Sequence, residues 1–261
     1  MLEYIKALFC VIEVLFLSMG LIPVDKNIDY GGGVYTPPSV TTEMVIVDNG
    51  VSEYYIVTAE NPDECIVTAT EELQTYIEKI SGAKLDIVTE SNLPKGSKAF
   101  IIGETELEES IVAIDRSEIK TDGFRLYSDG DYLIITGADS RGTLYGVYTF
   151  LEEYLGVRWF TPTLEVVPEN EDIIVDADID RTVEPSFSVR RNDCAGTNDA
   201  HRARTKMNVS FWQPATAYGG ALTYVVWDAS LPSLVPDSLF AEHPEYFALQ
   251  EDGTRSTDHV C

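Results

Sequence analysis

The sequence predicts an α/β fold in which a mixed sheet carries two amphipathic helices. Three observations predict it. Short runs rich in β-branched and aromatic residues alternate with two stretches whose apolar residues recur at helical spacing. Each helical stretch is closed by a glycine, and one Asp-Gly pair separates two strand-like runs in the manner of a hairpin.

The first strands are Met44-Val45-Ile46-Val47 and Tyr54-Tyr55-Ile56-Val57-Thr58. A helix follows, with Ala69, Leu73, Tyr76, Ile77 and Ile80 on one face and Ser81-Gly82 as a left-handed stop. Leu85-Asp86-Ile87-Val88 and Ala99-Phe100-Ile101-Ile102 read as further strands, the second ending at Gly103. The runs GFRLYS and YLIIT, between Gly123 and Thr136, flank Asp129-Gly130, both of which tolerate positive φ. The second helix begins near Ser140, places Leu144, Val147, Tyr148, Leu151 and Leu155 on one face, and stops at Gly156. After Val157-Arg158-Trp159-Phe160 and Pro162, two more short strands follow around Glu165-Val166-Val167 and Asp172-Ile173-Ile174-Val175. An acidic connector, Asp176 to Glu184, runs to Pro185.

From Phe187 a new unit is expected: a strand FSVRR, a polar loop, a helical stretch from Asp199 to about Met207, then aromatic, glycine-containing sequence. The last stretch, HPEYFALQEDGTRSTDHVC, reads as a helix end, a short strand and a loop. Nothing follows to pack upon it, so the chain is expected to be the front part of a longer protein.

Composition narrows the function. With 18 Lys+Arg against 44 Asp+Glu, a net charge of −26 and a pI near 4.2, duplex DNA and anionic membrane surfaces are repelled. A 44% hydrophobic and 10% aromatic content supplies a core and argues against general disorder. Cys10, Cys65, Cys194 and Cys261 form no CxxC pair, so neither zinc binding nor redox chemistry is supported, and no metal or cofactor is expected. Residues 7–24, ALFCVIEVLFLSMGLIPV, follow Lys6 and offer small residues at Ser18 and Gly20. Residues 1–24 therefore read as a signal peptide, which implies a secreted or cell-surface protein; an uncleaved segment would be the chain's membrane contact. Residues 25–43, with Gly31-Gly32-Gly33 and Pro37-Pro38, are a linker.

Three motifs read as structural. Gly137 to Thr143 has GxxxxG spacing between a strand and a helix, but Thr143 stands where a phosphate loop needs lysine; a helix start capped by Asp or Ser fits better, and no nucleotide is expected. Glu71-Glu72 and Glu152-Glu153 read as solvated helix faces. His201 with Asp199 has i, i+2 spacing, which does not place both on one helix face, and so argues against a metal pair. Trp212, Tyr218, Tyr224 and Trp227 crowd a segment with Gly219-Gly220, as sugar-stacking platforms on loops do, or as a core does. Asp193 and Asp228 lie nearby, either as sugar ligands or as caps and turn residues.

The segment SRGTLYGVYTFLEEYLGVRWFTP, residues 140–162, resembles the accessory domain that precedes the catalytic barrel in bacterial α-glucuronidase-like glycoside hydrolases, and ATEELQTYIEKISGAKLDIV, residues 69–88, matches its first helix and following strand. HPEYFALQEDGTR, residues 243–255, is similar to the early barrel of a bacterial family catalogued as a domain of unknown function, 4838. The resemblance implies an accessory domain over residues 44–175 and the incomplete start of a (β/α)8 barrel over residues 187–261, with the acid/base carboxylates on later strands. The implied partner is a complex carbohydrate. One departure is Trp227-Asp228, where the family pattern has a His-Thr pair. The F-x-x-R pattern of Phe187 to Arg190 is similar to the first barrel strand of β-N-acetylhexosaminidases, whose matching arginine holds the sugar. Arg190, Asp193, Trp212, Trp227 and Asp228 are thus the candidate sugar-binding residues. A non-catalytic carbohydrate-binding or surface-interaction protein is the alternative.

Overall fold

The computed structural model describes residues 43–191, 198–209, 215–222 and 234–260. Its strands are β1 (Glu43–Val47), β2 (Tyr54–Thr58), β3 (Ile87–Thr89), β4 (Lys98–Ile102), β5 (Phe124–Asp129), β6 (Tyr132–Gly137), β7 (Arg158–Thr161), β8 (Leu164–Val166), β9 (Ile173–Asp176), β10 (Asp180–Val183), β11 (Phe247–Leu249) and β12 (Arg255–Val260). Its α-helices are α1 (Glu64–Ser81), α2 (Glu106–Ile111), α3 (Ser140–Glu153) and α4 (Asp199–Arg204).

A six-stranded mixed sheet runs β10-β5-β6-β4-β2-β3, with β2, β3, β4 and β6 parallel and β5 and β10 antiparallel to their neighbours. The mixed sheet with its two long helices is the fold the sequence predicts. Strand periodicity explains its two faces. Ile56, Phe100, Ile102, Phe124, Leu126, Leu133 and Ile135 point into one core with Leu73, Tyr76 and Ile77 of α1 and Leu144, Val147, Tyr148 and Leu151 of α3. The alternate residues, Val57, Ile101, Ile134 and Thr136, are equally buried and face the other way. There Arg116 donates to Thr136 Oγ1 at 2.9 Å and to the buried Glu108 of α2.

Local chemistry sets the helix ends. Asp63 caps α1, its Oδ1 accepting from the Cys65 and Ile66 amides at 2.9 Å, and Gly82 closes it at φ 79°. Asp139 caps α3 by accepting from the Gly142 amide at 2.6 Å. The GxxxxG glycines serve packing: a Cβ on Gly142 would stand 2.4 Å from the Gly123 carbonyl oxygen, and one on Gly137 2.3 Å from the Thr143 nitrogen.

Several expectations are corrected. The acidic connector contains a strand: β10 pairs with β5, and Ser128 Oγ holds the turn before it through the Ala177 carbonyl and the Ile179 amide. β9 leaves the order of the chain to pair with β1. Phe187 to Arg190 is not a strand, because its backbone bonds go to Asn208 rather than to a ladder. The β5–β6 hairpin turns on Gly130-Asp131, with positive φ at Gly130 alone. Near the end β11 and β12 form an antiparallel ribbon where a loop was expected.

Candidate functional site

Two depressions open at the carboxyl ends of β2, β4 and β6, where open α/β sheets commonly bind ligands. The larger, of about 630 Å³, is lined by Asp63, Glu64, Cys65, Asp139, Ser140, Arg141, Thr216 and Gly219. The smaller, of about 230 Å³, lies between Asn61, Gly103, Arg116 and Gly137. The carboxylates of the larger one are already engaged. Asp63 and Asp139 cap helices, Asp63 Oδ2 also accepts from Ser140 Oγ, and Asp139 Oδ2 accepts from the Asp122 amide at 3.1 Å. Glu64 accepts from Thr216 Oγ1. Cys65 is buried, and burial, aided by the charges of Asp63 and Asp139, pushes its thiol up to about 12, so it is no nucleophile at neutral pH. Glycoside hydrolysis needs one carboxyl group free to give a proton and another free to attack or to activate water. These caps are not such a pair.

The most heavily bonded charged groups lie where the chain after Phe187 meets the α/β domain. Asp122, with its side chain 1% exposed, sits at φ 66° just before β5. It accepts from Arg141 and from Arg190 at 2.6 Å each and from Asn208 Nδ2 at 2.7 Å. Arg190 also donates from Nε to the Lys206 carbonyl and from Nη1 to the Phe187 carbonyl, both at 2.8 Å, and lies over the Tyr145 ring. Three of its five N–H groups are thus committed. Arg141 continues to the Gly219 carbonyl at 3.2 Å.

A second anchor lies on α1. Arg204 makes a forked pair with Glu72 at 3.0–3.1 Å and lies 5.5 Å from the Tyr76 ring and 5.7 Å from the Trp159 ring. Tyr76 accepts from Trp159 Nε1 and donates to Glu165, which also takes Lys79. Burial works against the Arg204 charge, but Glu72 outweighs it and the guanidinium pKa is raised. Glu72 is therefore not a solvated residue. Glu152 and Glu153 pair with Lys206 and Arg181, while Glu153 and Glu71 remain on the solvated faces expected of them.

Of the candidate sugar-binding residues, only Arg190 falls among those described, and it stands in the Asp122 cluster. Asp193, Trp212, Trp227 and Asp228 lie outside the described residues, as do Tyr224 and residues 1–42. Asp199 is taken up by Arg202 and the Ala215 amide, and no group of His, Cys, Asp and Glu suited to a metal occurs among the described residues. Sequence reasoning missed Asp122, Glu72 and Asn208. The one available clue is the local charge: residues 186–209 hold five Lys and Arg against two Asp, a basic island in an acidic chain.

This architecture defines a mixed-sheet α/β domain that carries a following segment on one side through buried ion pairs. Residues 48–150 match the glycosyl hydrolase family 67 N-terminus, and residues 159–261 match the domain of unknown function DUF4838. Part of the chain is similar to α-glucuronidases. It is 39% identical over 101 residues to the probable α-glucuronidase A of Aspergillus oryzae, and 33% identical over 85 residues to that of Aspergillus terreus. These matches cover 37% and 32% of this chain but only 12% and 10% of the relatives. Among solved structures, a GH115 4-O-methyl-α-glucuronidase, BtGH115A, aligns with 63% of this chain and 25% of its own at 17% identity and a TM-score of 0.47. The boundary between the two family segments runs through a single sheet, since β10 of the second pairs with β5 of the first.

Proposed function

We propose that this chain is the N-terminal part of an exported glycoside hydrolase that acts on complex, uronate-bearing carbohydrate, and that its α/β domain is an accessory domain rather than the reaction centre. The observation that carries the reading is the family 67 N-terminal match over residues 48–150, which falls on a domain whose larger cleft has its carboxylates, Asp63, Glu64 and Asp139, engaged as caps or hydrogen-bond acceptors. In this reading residues 187–261 begin the barrel. Sugar is met there by Trp212, Trp227, Asp193 and Asp228, and Arg190 holds the entrance by its bond to Asp122. Residues 1–24 direct export; no helix among the described residues is long and apolar enough to cross a membrane.

The test compares the full-length gene product with this chain on glucuronic-acid-substituted xylo-oligosaccharides and on aryl hexosaminides. Release of glucuronic acid by the full-length protein alone is the expected result. Carbohydrate binding by calorimetry without hydrolysis of either substrate would favour the non-catalytic binding reading. Neither binding nor hydrolysis would remove carbohydrate from the proposal.

A further inference from the structure

The segment after Pro185 is held differently from the domain beneath it. Among its described residues, Ala203 joins the apolar core with Tyr218 packed partly against it and Val209 is 4% exposed, whereas Phe187 and Val189 are 73% and 52% exposed. The helix α4 among its described residues has six residues, too few to be stable alone. What holds it is polar and specific. Arg190 enters the Asp122 site, Arg204 enters the Glu72–Tyr76–Trp159 site, and Lys206 reaches Glu152. Asn208, 1% exposed, ties the two ends of the segment together by accepting from the Arg190 amide and donating to the Ser188 carbonyl and Asp122. Gly219, at φ 76°, completes the contact, because a Cβ there would stand 2.5 Å from Arg141 Cβ.

We propose that the face of the α/β domain bearing Asp122 and Glu72 is a docking surface shaped for an arginine-bearing segment, and that its occupant, the stretches 187–191, 198–209 and 215–222 of this same chain, seats and leaves as a unit while the sheet and its two long helices stay folded. Two features separate this from ordinary core packing. The acceptors belong to elements that fold around their own apolar core, and the segment's excess of three positive charges complements a domain that is strongly acidic. Elements with few buried apolar contacts open at lower free energy than the core that supports them. The proposal does not rest on the glycosidase reading.

Hydrogen exchange read by mass spectrometry on the whole chain tests it, with Asp122→Asn as the variant, because asparagine keeps the left-handed backbone and the shape but gives up the charge. Exchange in residues 199–209 and 215–219 is expected to quicken at least tenfold, with α1 and α3 unchanged within about twofold. If α1 and α3 lose protection together with the segment, the two are one cooperative unit and the proposal falls. It falls equally if no region changes. Should Asp122→Asn fail to fold, Glu72→Gln is read by the same criteria.

Discussion

Gly142 offers a sharp test of what the GxxxxG stretch does. In Gly142→Ala a methyl group would be placed 2.4 Å from the Gly123 carbonyl oxygen and 3.3 Å from the Asp122 and Gly123 carbonyl carbons. All three are backbone atoms just before β5, so no side chain can swing aside. Relief requires α3 to withdraw by nearly an ångström, yet ten residues of α3, from Gly142 to Leu151, are buried. Overpacking a close-packed interior costs about 1–3 kcal/mol, and occasionally more. Against this, alanine is a better helix former than glycine by about 1 kcal/mol. Because the clash is between backbones, the upper end of the range applies, and a net loss of about 2 kcal/mol is expected in urea unfolding. Gly146→Ala is the control. Its methyl would meet Ile135 Cγ2 at 2.7 Å and the Phe124 ring at 3.2 Å, side-chain rather than backbone atoms and less closely, so the net loss should be smaller than that of Gly142→Ala. A Gly142→Ala protein as stable as its parent, or less perturbed than Gly146→Ala, would refute the packing explanation and reopen the loop as a ligand cradle.

Three further outcomes are expected. Burial raises the carboxyl pKa of Glu108 above its ordinary 4.5, against the opposing pull of Arg116, and its Oε1 lacks a hydrogen-bond partner. The proton is held more tightly in the folded state, so the stability this group contributes is fully present below pH 4.5 and is lost as the pH rises through the raised value, with a slope of at most about 1.4 kcal/mol per pH unit. The stability of the parent relative to Glu108→Gln, followed by urea melts across that range, should therefore decline with pH; a flat or rising difference would contradict it. Cys65 should resist alkylation in the folded protein at pH 8 and react in urea, checked by peptide mass mapping, because burial pushes its thiol up to about 12. Asp139→Ala should cost about 1–2 kcal/mol through loss of the α3 cap and of the bond from the Asp122 amide, and Asp139→Asn should recover most of it. Equal stability of the alanine and asparagine variants would exclude the cap.

What the sequence by itself determined is what neighbouring residues decide. The apolar periodicity of α1 and α3, the Gly82 stop of α1, the capped start of α3, and the β-branched runs of β2, β4, β5 and β6 act within a few residues of one another and were legible, whereas α3 ends at Glu153, before the Gly156 stop expected for it. The likeness to an α-glucuronidase accessory domain was legible too, in the run through α3 and β7. Tertiary structure alone decided that an acidic stretch such as Asp180–Val183 becomes an edge strand, because its partner β5 lies more than fifty residues earlier. It also decided the roles of the charged residues. Asp122 meets Arg190 across 68 positions and Glu72 meets Arg204 across 132, and no local pattern marks either acid among the 44 in the chain. A carboxylate becomes an anchor only when folding removes its water and brings a guanidinium to replace it. That exchange of solvent for a distant partner is a property of the packed chain, and it is why Glu72 read as a surface residue and Arg190 as the end of a strand.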